Sequence, residues 1–465
     1  MGRWKLLGVT FGLVLGVSAS ALSVGARREV AQQPKPGKVL PSHGATLLVE
    51  LGLKDSETTG WEGEIRVSEG SVVALRAVGG GMETVEGAKW KARSQVAKKK
   101  QVVVNPVRLH ATVDAPLTAS VTIETSRGEF SFKLADLALG KATEFFDGQA
   151  RVTRGPVSLP ITDAPADEDF PATAVAPDGT VWLAFVSYQH GNPIRLPTDG
   201  SIPEDWSSLV TKGNGDQVKL MRFDGSRWSE PIDVTDAKLD VWRPAVAVDG
   251  GGRVWVVWSQ NIEGNWEILA RSYDPRAGEW SAVERVTTEQ GADINVVAAT
   301  SRSGTVWLAW MRWEGTDFAI RTQSLGGNRA ARRTRNFGGS NEWSPSIATD
   351  SNGKVYIAFD TYTAGNYDVY LWVLDEKVSG PQGETIPIAT SSRFEARPSV
   401  TVDRQDRVWV AYEDADPNWG KDFGSRWKGK SGVPFYVSRN VVVRCVSDGR
   451  LMQAPAVESE RIDTD

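Results

Sequence analysis

Arg243 and Arg397 each stand immediately before a recurring motif, Pro244 to Trp255 and Pro398 to Trp409. At the same offset in the other copies stand Phe170, Asn295 and Ser344, and one residue earlier come Asp169, Trp242, Ile294, Trp343 and Ala396. A guanidinium is a planar fork of donors that matches a carboxylate or sulfate, and an indole offers a flat face with a negative quadrupole. Two Arg and two Trp near one opening would suit an anionic or sugar-like ligand. In the competing structural reading, Arg243 and Arg397 bond carbonyls between neighbouring repeats. A second group, Asp414, Asp416, Trp419 and Asp422, falls in a polar stretch near the end of the chain. Its three carboxylates are the one candidate for a hard cation such as Ca²⁺, although the spacing matches no established calcium loop. Nothing else in the sequence asks for a cofactor.

The motif that positions these residues is written five times: Pro171 to Trp182, Pro244 to Trp255, Val296 to Trp307, Pro345 to Tyr356 and Pro398 to Trp409. Each copy is an apolar run, a polar turn, then an aromatic anchor leading a second apolar run. Short strands at a period of roughly 40–50 residues imply a β-propeller, one blade per repeat. Each unit divides into strands A to D, with A starting at the Pro and B carrying the anchor. Gly179, Gly252, Gly304 and Gly353 lie three residues before the anchor, where a tight turn calls for positive φ, and Asp406 takes that place in the fifth copy. Asp249, Asp350 and Asp403 lie six residues before it, where a carboxylate can accept hydrogen bonds from turn amides. Residues that recur this way are expected to build blades. The residues just before each strand A differ from copy to copy and are expected at the mouth of the central channel, on the face shared with the B–C loops. Long B–C insertions are expected in blade one (188–215) and blade five (414–433).

Composition limits the alternatives. A net charge of −5 gives little support to nucleic-acid binding, one cysteine (Cys445) excludes an internal disulfide, and three scattered histidines (His43, His110 and His190) give little support to a His-metal cluster. Nucleotide loops, zinc motifs and nucleophile elbows are absent from the sequence. Arg3 and Lys5, the apolar run Leu6 to Val17 and Ala19-Ser20-Ala21 read as a signal peptide over 1–26, so a periplasmic or extracellular location is expected, with no stable membrane span after its removal. A linker is assigned to 27–44, a small β-sandwich-like domain to 45–150 and the propeller to 155–465. The fold class is therefore all-β, a propeller of four-stranded blades behind a small β-rich domain. Five A–C sets are visible but there are six D candidates, because Pro156 to Thr162 and Leu451 to Val457 both read as D strands. Either the ring has five blades, or the array is unfinished; the sequence favours the second.

The repeats, as in Val246-Ala-Val-Asp-Gly-Gly-Gly-Arg-Val-Trp-Val-Val-Trp258, resemble exported bacterial propellers of the TolB-like and sialidase-like kinds. Tyr412 to Gly424 also resembles large proteins in which a propeller precedes a C-terminal metallohydrolase-like domain, which would explain a surplus D strand. The sialidase likeness implies an Arg cluster, a Tyr–Glu nucleophile pair and an Asp acid/base. Ile194-Arg195-Leu196-Pro197 is similar to the Arg-Ile-Pro segment of those enzymes but lies in the blade-one insertion, and the turn Asp stands three residues before Gly rather than two. Three functions follow as expectations: a non-catalytic propeller binding a glycan, peptide or partner domain at the channel mouth; a sialidase-like glycosidase or lyase; or a spacer for a C-terminal hydrolase domain.

Overall fold

The computed structural model describes residues 29–30, 36–39, 44–53, 60–78, 82–93, 107–162, 164–191, 214–325, 333–334, 341–363, 365–378, 383–417 and 439–453. Strands dominate, with two 3-10 turns and no α-helix among the described residues. No described helix is long and apolar enough to cross a membrane.

Two five-stranded antiparallel sheets come first. One runs in the order Gly128–Lys133, Ser120–Thr125, Gly60–Val67, Lys89–Arg93, Met82–Glu86, and the other Ala142–Phe145, Ala150–Gly155, Ala45–Leu51, Val107–Asp114, Ser71–Val78. Ser120–Thr125 buries every second side chain, as the two-residue period of a half-buried strand requires. The inward rows of both sheets, including Leu47, Val49, Leu109, Val121 and Ile123, share one core. The last strand runs to Gly155, beyond the 45–150 span expected.

Five further sheets follow the A–B–C–D order of a propeller blade. Strands A are Asp167–Val175, Val241–Val248, Asp293–Thr300, Asn341–Thr349 and Phe394–Val402. Strands B are Val181–Gln189, Val254–Ile262, Val306–Trp313, Lys354–Thr363 and Val408–Ala415. Strands A therefore start three to four residues before the Pro (Val in blade three), not at it. The turn chemistry is as the repeats suggested. The Gly before the anchor has φ between 82° and 89° in four blades, and Asp406 takes φ 59° in the fifth. Asp249 accepts from the amides of Gly251 and Arg253 and from the indole N–H of Trp255, at 2.9–3.0 Å. Asp350 and Asp403 repeat this on Tyr356 and Trp409. Burial works against the charge on Asp249, but the bonds from Trp255 and Arg253 outweigh it and hold the carboxyl below its usual range.

The anchor faces the next blade. Trp182 packs into the core shared by blades one and two, Trp255 into that of two and three, Trp307 into that of three and four, and Tyr356 into that of four and five. Burying a side chain of this size stabilises by about 2–3 kcal/mol, so these seams hold the array together. Strands A of neighbouring blades pack in sequence from one to five, and strand A of blade five makes no comparable contact with that of blade one among the described residues.

The strand count also resolves. Arg450–Gln453 pairs with strand C of blade five (Asn440–Ser447) and is that blade's own strand D. Pro156 to Thr162, expected as a D strand, forms no strand among its described residues; Ile161 instead packs on Leu183, Phe185 and Met221, covering the free side of blade one. The segment expected as a linker adds outer strands to two blades: Glu29–Val30 pairs with Glu279–Trp280, and Pro36–Val39 with Arg227–Ser229.

Candidate functional site

Pairing between strands A and B slips at one place in every blade, between Asp169 and Ala172, Trp242 and Ala245, Ile294 and Val297, Trp343 and Ser346, and Ala396 and Ser399. The residue after the first of each pair is left-handed: Phe170 at φ 55°, Arg243 at 35°, Asn295 at 57°, Ser344 at 53° and Arg397 at 52°. These are the varied residues expected before strand A, and they lie inside it as β-bulges. A left-handed L-residue costs roughly 1–2 kcal/mol, and a bulge turns its side chain out of the regular pleat. Five bulges at one level make a ring.

On blades one to three this ring is aromatic and cationic. Trp242 is 39% exposed and lies 4.8 Å from the Phe170 ring. The exposed Arg243 guanidinium sits 5.3 Å over Phe170 and 5.6 Å over Trp242. The Trp242 indole N–H donates to Asn295 Oδ1 at 2.8 Å, and Asn295 Nδ2 lies 3.1 Å from Met311 Sδ. Phe170 and Arg243 rim a cavity of about 420 Å³ whose wall is strands A of blades one to four.

On blades four and five the ring is acidic beneath. Asp360 stands opposite Trp343 in the strand pairing and is 3% exposed. It accepts from the Ser344 hydroxyl and the Arg397 amide, and its Oδ1 has no hydrogen-bond partner among the described residues. Burial pushes its pKa up to about 6 against the pull of Ser344 and Arg397. Glu413, opposite Ala396, takes Arg397 at 3.4 Å and also pairs with Arg439. Sequence reading missed both carboxyls. The signal was available: four residues after each anchor stand Val186, Ser259, Met311, Asp360 and Glu413, which vary as the bulge residues do.

The other expected residues are dispersed. Trp343 stacks with Tyr367 at 5.4 Å rather than with Trp242. Asp414 and Asp416 both pair with Arg393, at 2.7 and 3.2 Å, while Trp419 and Asp422 lie outside the described residues. Arg195 and most of both B–C insertions also lie outside them. No group of three or more His, Cys, Asp or Glu placed to hold a metal occurs among the described residues.

A larger cavity, about 650 Å³, is lined by Trp310, Arg312, Trp313, Glu314 and Arg321 of blade three. Arg312 there pairs with the fully buried Asp293, whose pKa burial raises to about 6. A counterpart of about 330 Å³ lies beside Trp258 and Gln260, which hold the same template positions in blade two as Trp310 and Arg312 in blade three. Recurrence assigns these cavities to blade architecture.

No family model matches this chain, and no curated protein does. Among solved structures, a Hadza microbial sialidase is similar at 12% identity, covering 91% of this chain and 90% of its own, with a TM-score of 0.43. A protein of unknown function from Dyadobacter fermentans is similar at 14% identity, covering 76% of this chain and 96% of its own, at 0.42. An ulvan lyase is similar at 10% identity, covering 62% of this chain and 73% of its own, at 0.40.

Proposed function

We propose that the channel mouth binds an acidic saccharide, with Trp242 and Arg243 as its main contacts and Asn295 as the group that orients the indole. The observation that carries this is the exposed Arg243 held over two aromatic rings above a cavity, on a strained bulge. An exposed cation with neighbouring flat apolar faces can take a carboxylate or sulfate and a sugar ring together. The left-handed bulge recurs in all five blades, so it is the side chain carried there, and not the strain, that distinguishes Arg243. Calorimetric titration of uronic, sialic and sulfated oligosaccharides into the purified protein tests the reading. Removing Arg243 and Trp242 together should weaken the tightest ligand by at least about tenfold, one charge-assisted contact being worth about 1.5–3 kcal/mol. Binding that survives the double substitution unchanged removes the proposal.

A second reading, glycosidase or lyase chemistry, draws on Asp360 and Glu413. A buried carboxyl that keeps its proton to about pH 6 beside a second carboxylate has the makings of an acid and a base. Against it, Asp360 is enclosed and Glu413 is held by two guanidiniums. Release of fluorophore from acidic glycosides, lost in Glu413→Gln, would favour it over binding alone.

A further inference from the structure

Four strands B are buried without a break through their central residues, because a blade lies on each side. Val254–Ile262 and Val306–Trp313 each open with six buried residues. Val408–Ala415 instead alternates buried and half-buried. Val408, Val410 and Tyr412 pack towards blade four. Trp409, Ala411 and Glu413 point the other way, and strand pairing places Val441, Val443 and Cys445 on the same side. Trp409 is the fifth anchor, and the other four each pack under the blade that follows. Blade five thus carries the side that blades one to four use as a seam, with Val441 72% exposed on it. The matching side of blade one, Leu183 and Phe185, is closed over by Ile161.

We propose that this outward side of blade five, which no described strand covers, is a docking surface for one further four-stranded blade of the same template. Continuity with the four existing seams supports that occupant. In each, the anchor of one blade shares a core with the apolar residues of the next blade's strand B, Trp182 with Val256 and Trp258 being the first case. A second copy of this chain fits less well, because among the described residues the side of the matching kind, on blade one, is already covered by Ile161. A seam of this kind would let the array be completed only when the second polypeptide segment is present.

The test joins a second copy of residues 241–287 behind Asp465 through a flexible linker and follows amide exchange in the extended and the 465-residue chains. Docking should slow exchange across Val408–Ala415 and Asn440–Ser447 by about tenfold or more and raise the unfolding midpoint. Ala411→Glu should reverse both effects in the extended chain, yet move the midpoint of the 465-residue chain by no more than about 2 °C, since it sits on an open side there. Unchanged exchange in the extended chain overturns the proposal. So does a 465-residue chain that Ala411→Glu destabilises as much as Val410→Glu, because its own blade one would then already cover the face. So, too, does a dimer that Ala411→Glu dissociates, because the occupant would then be a second copy.

Discussion

The A–B hairpin of each blade has two ends, and they have been built by opposite rules. At the turn, side chains repeat: Asp249, Asp350 and Asp403 make the same three kinds of bond in three blades. At the mouth, the backbone repeats and side chains do not: five left-handed bulges carry Phe, Arg, Asn, Ser and Arg. At the turn end the three carboxylates take these donors from within their own hairpin. The mouth end holds strain and leaves Trp242 and Arg243 exposed. Repeated side chains mark what each blade needs to fold, and a repeated backbone under varied side chains marks a platform whose groups can differ by position.

The largest expected effect tests the turn end. Asp350 is 6% exposed and accepts from the amides of Asn352 and Lys354 and from the Tyr356 hydroxyl. Asp350→Ala leaves a buried phenol and two amides without their acceptor, for a loss of about 4 kcal/mol in urea unfolding. Saccharide binding by the chain that remains folded should be unchanged. A loss of affinity at unaltered stability would dissolve the distinction between the two ends.

The next effect separates Asp360 from the turn aspartates by pH. Its folded pKa is raised to about 6 from 3.8, so between these values the folded chain holds a proton that the unfolded chain has released. Stability therefore falls as pH rises through that window and levels off above it, by about 3 kcal/mol for a shift of about two units. Asp293 is raised to about 6 as well and adds a fall in the same window. Asp360→Asn should remove one of the two contributions, seen as a shallower decline in urea midpoint from pH 4 to 6.5. An unaltered slope would mean that Asp360 does not hold its proton.

These effects also show what could be read before the fold was known. The blades, the turn aspartates and the left-handed Asp406 were legible because each depends on local chemistry at a fixed offset from the anchor. That the bulge residues would vary and gather was legible too, but not that they are bulges, since a slipped register leaves no mark in the identity of Phe170 or Asn295. Nor was it visible that Trp343 would leave the ring to stack on Tyr367, a contact set by a neighbouring strand. Asp360 was missed because its importance lies in burial beside another blade's amide, which a single repeat does not contain. Pro156 to Thr162 has the composition of a D strand, yet no described strand pairs with it, and Ile161 instead packs face-on against blade one.

The smallest expected effect bears on the mouth end directly. Arg243→Gly removes the left-handed penalty of about 1–2 kcal/mol. It also loses a cation–π contact of about 0.5–1 kcal/mol and frees the unfolded chain by a similar amount. These terms nearly cancel, so stability should move by no more than about 1 kcal/mol in either direction. Arg243→Val loses the same contact but meets a larger left-handed penalty through its branched Cβ, and should be less stable than the Gly variant by about 2 kcal/mol. Both should lose the acidic ligand alike. Equal stability of the two variants would mean that the bulge relaxes when Arg243 is gone, so that the side chain imposes the backbone conformation. A clear gap between them, with binding lost in both, would mean that the propeller imposes the left-handed conformation and that Arg243 is kept there for what it touches outside the chain.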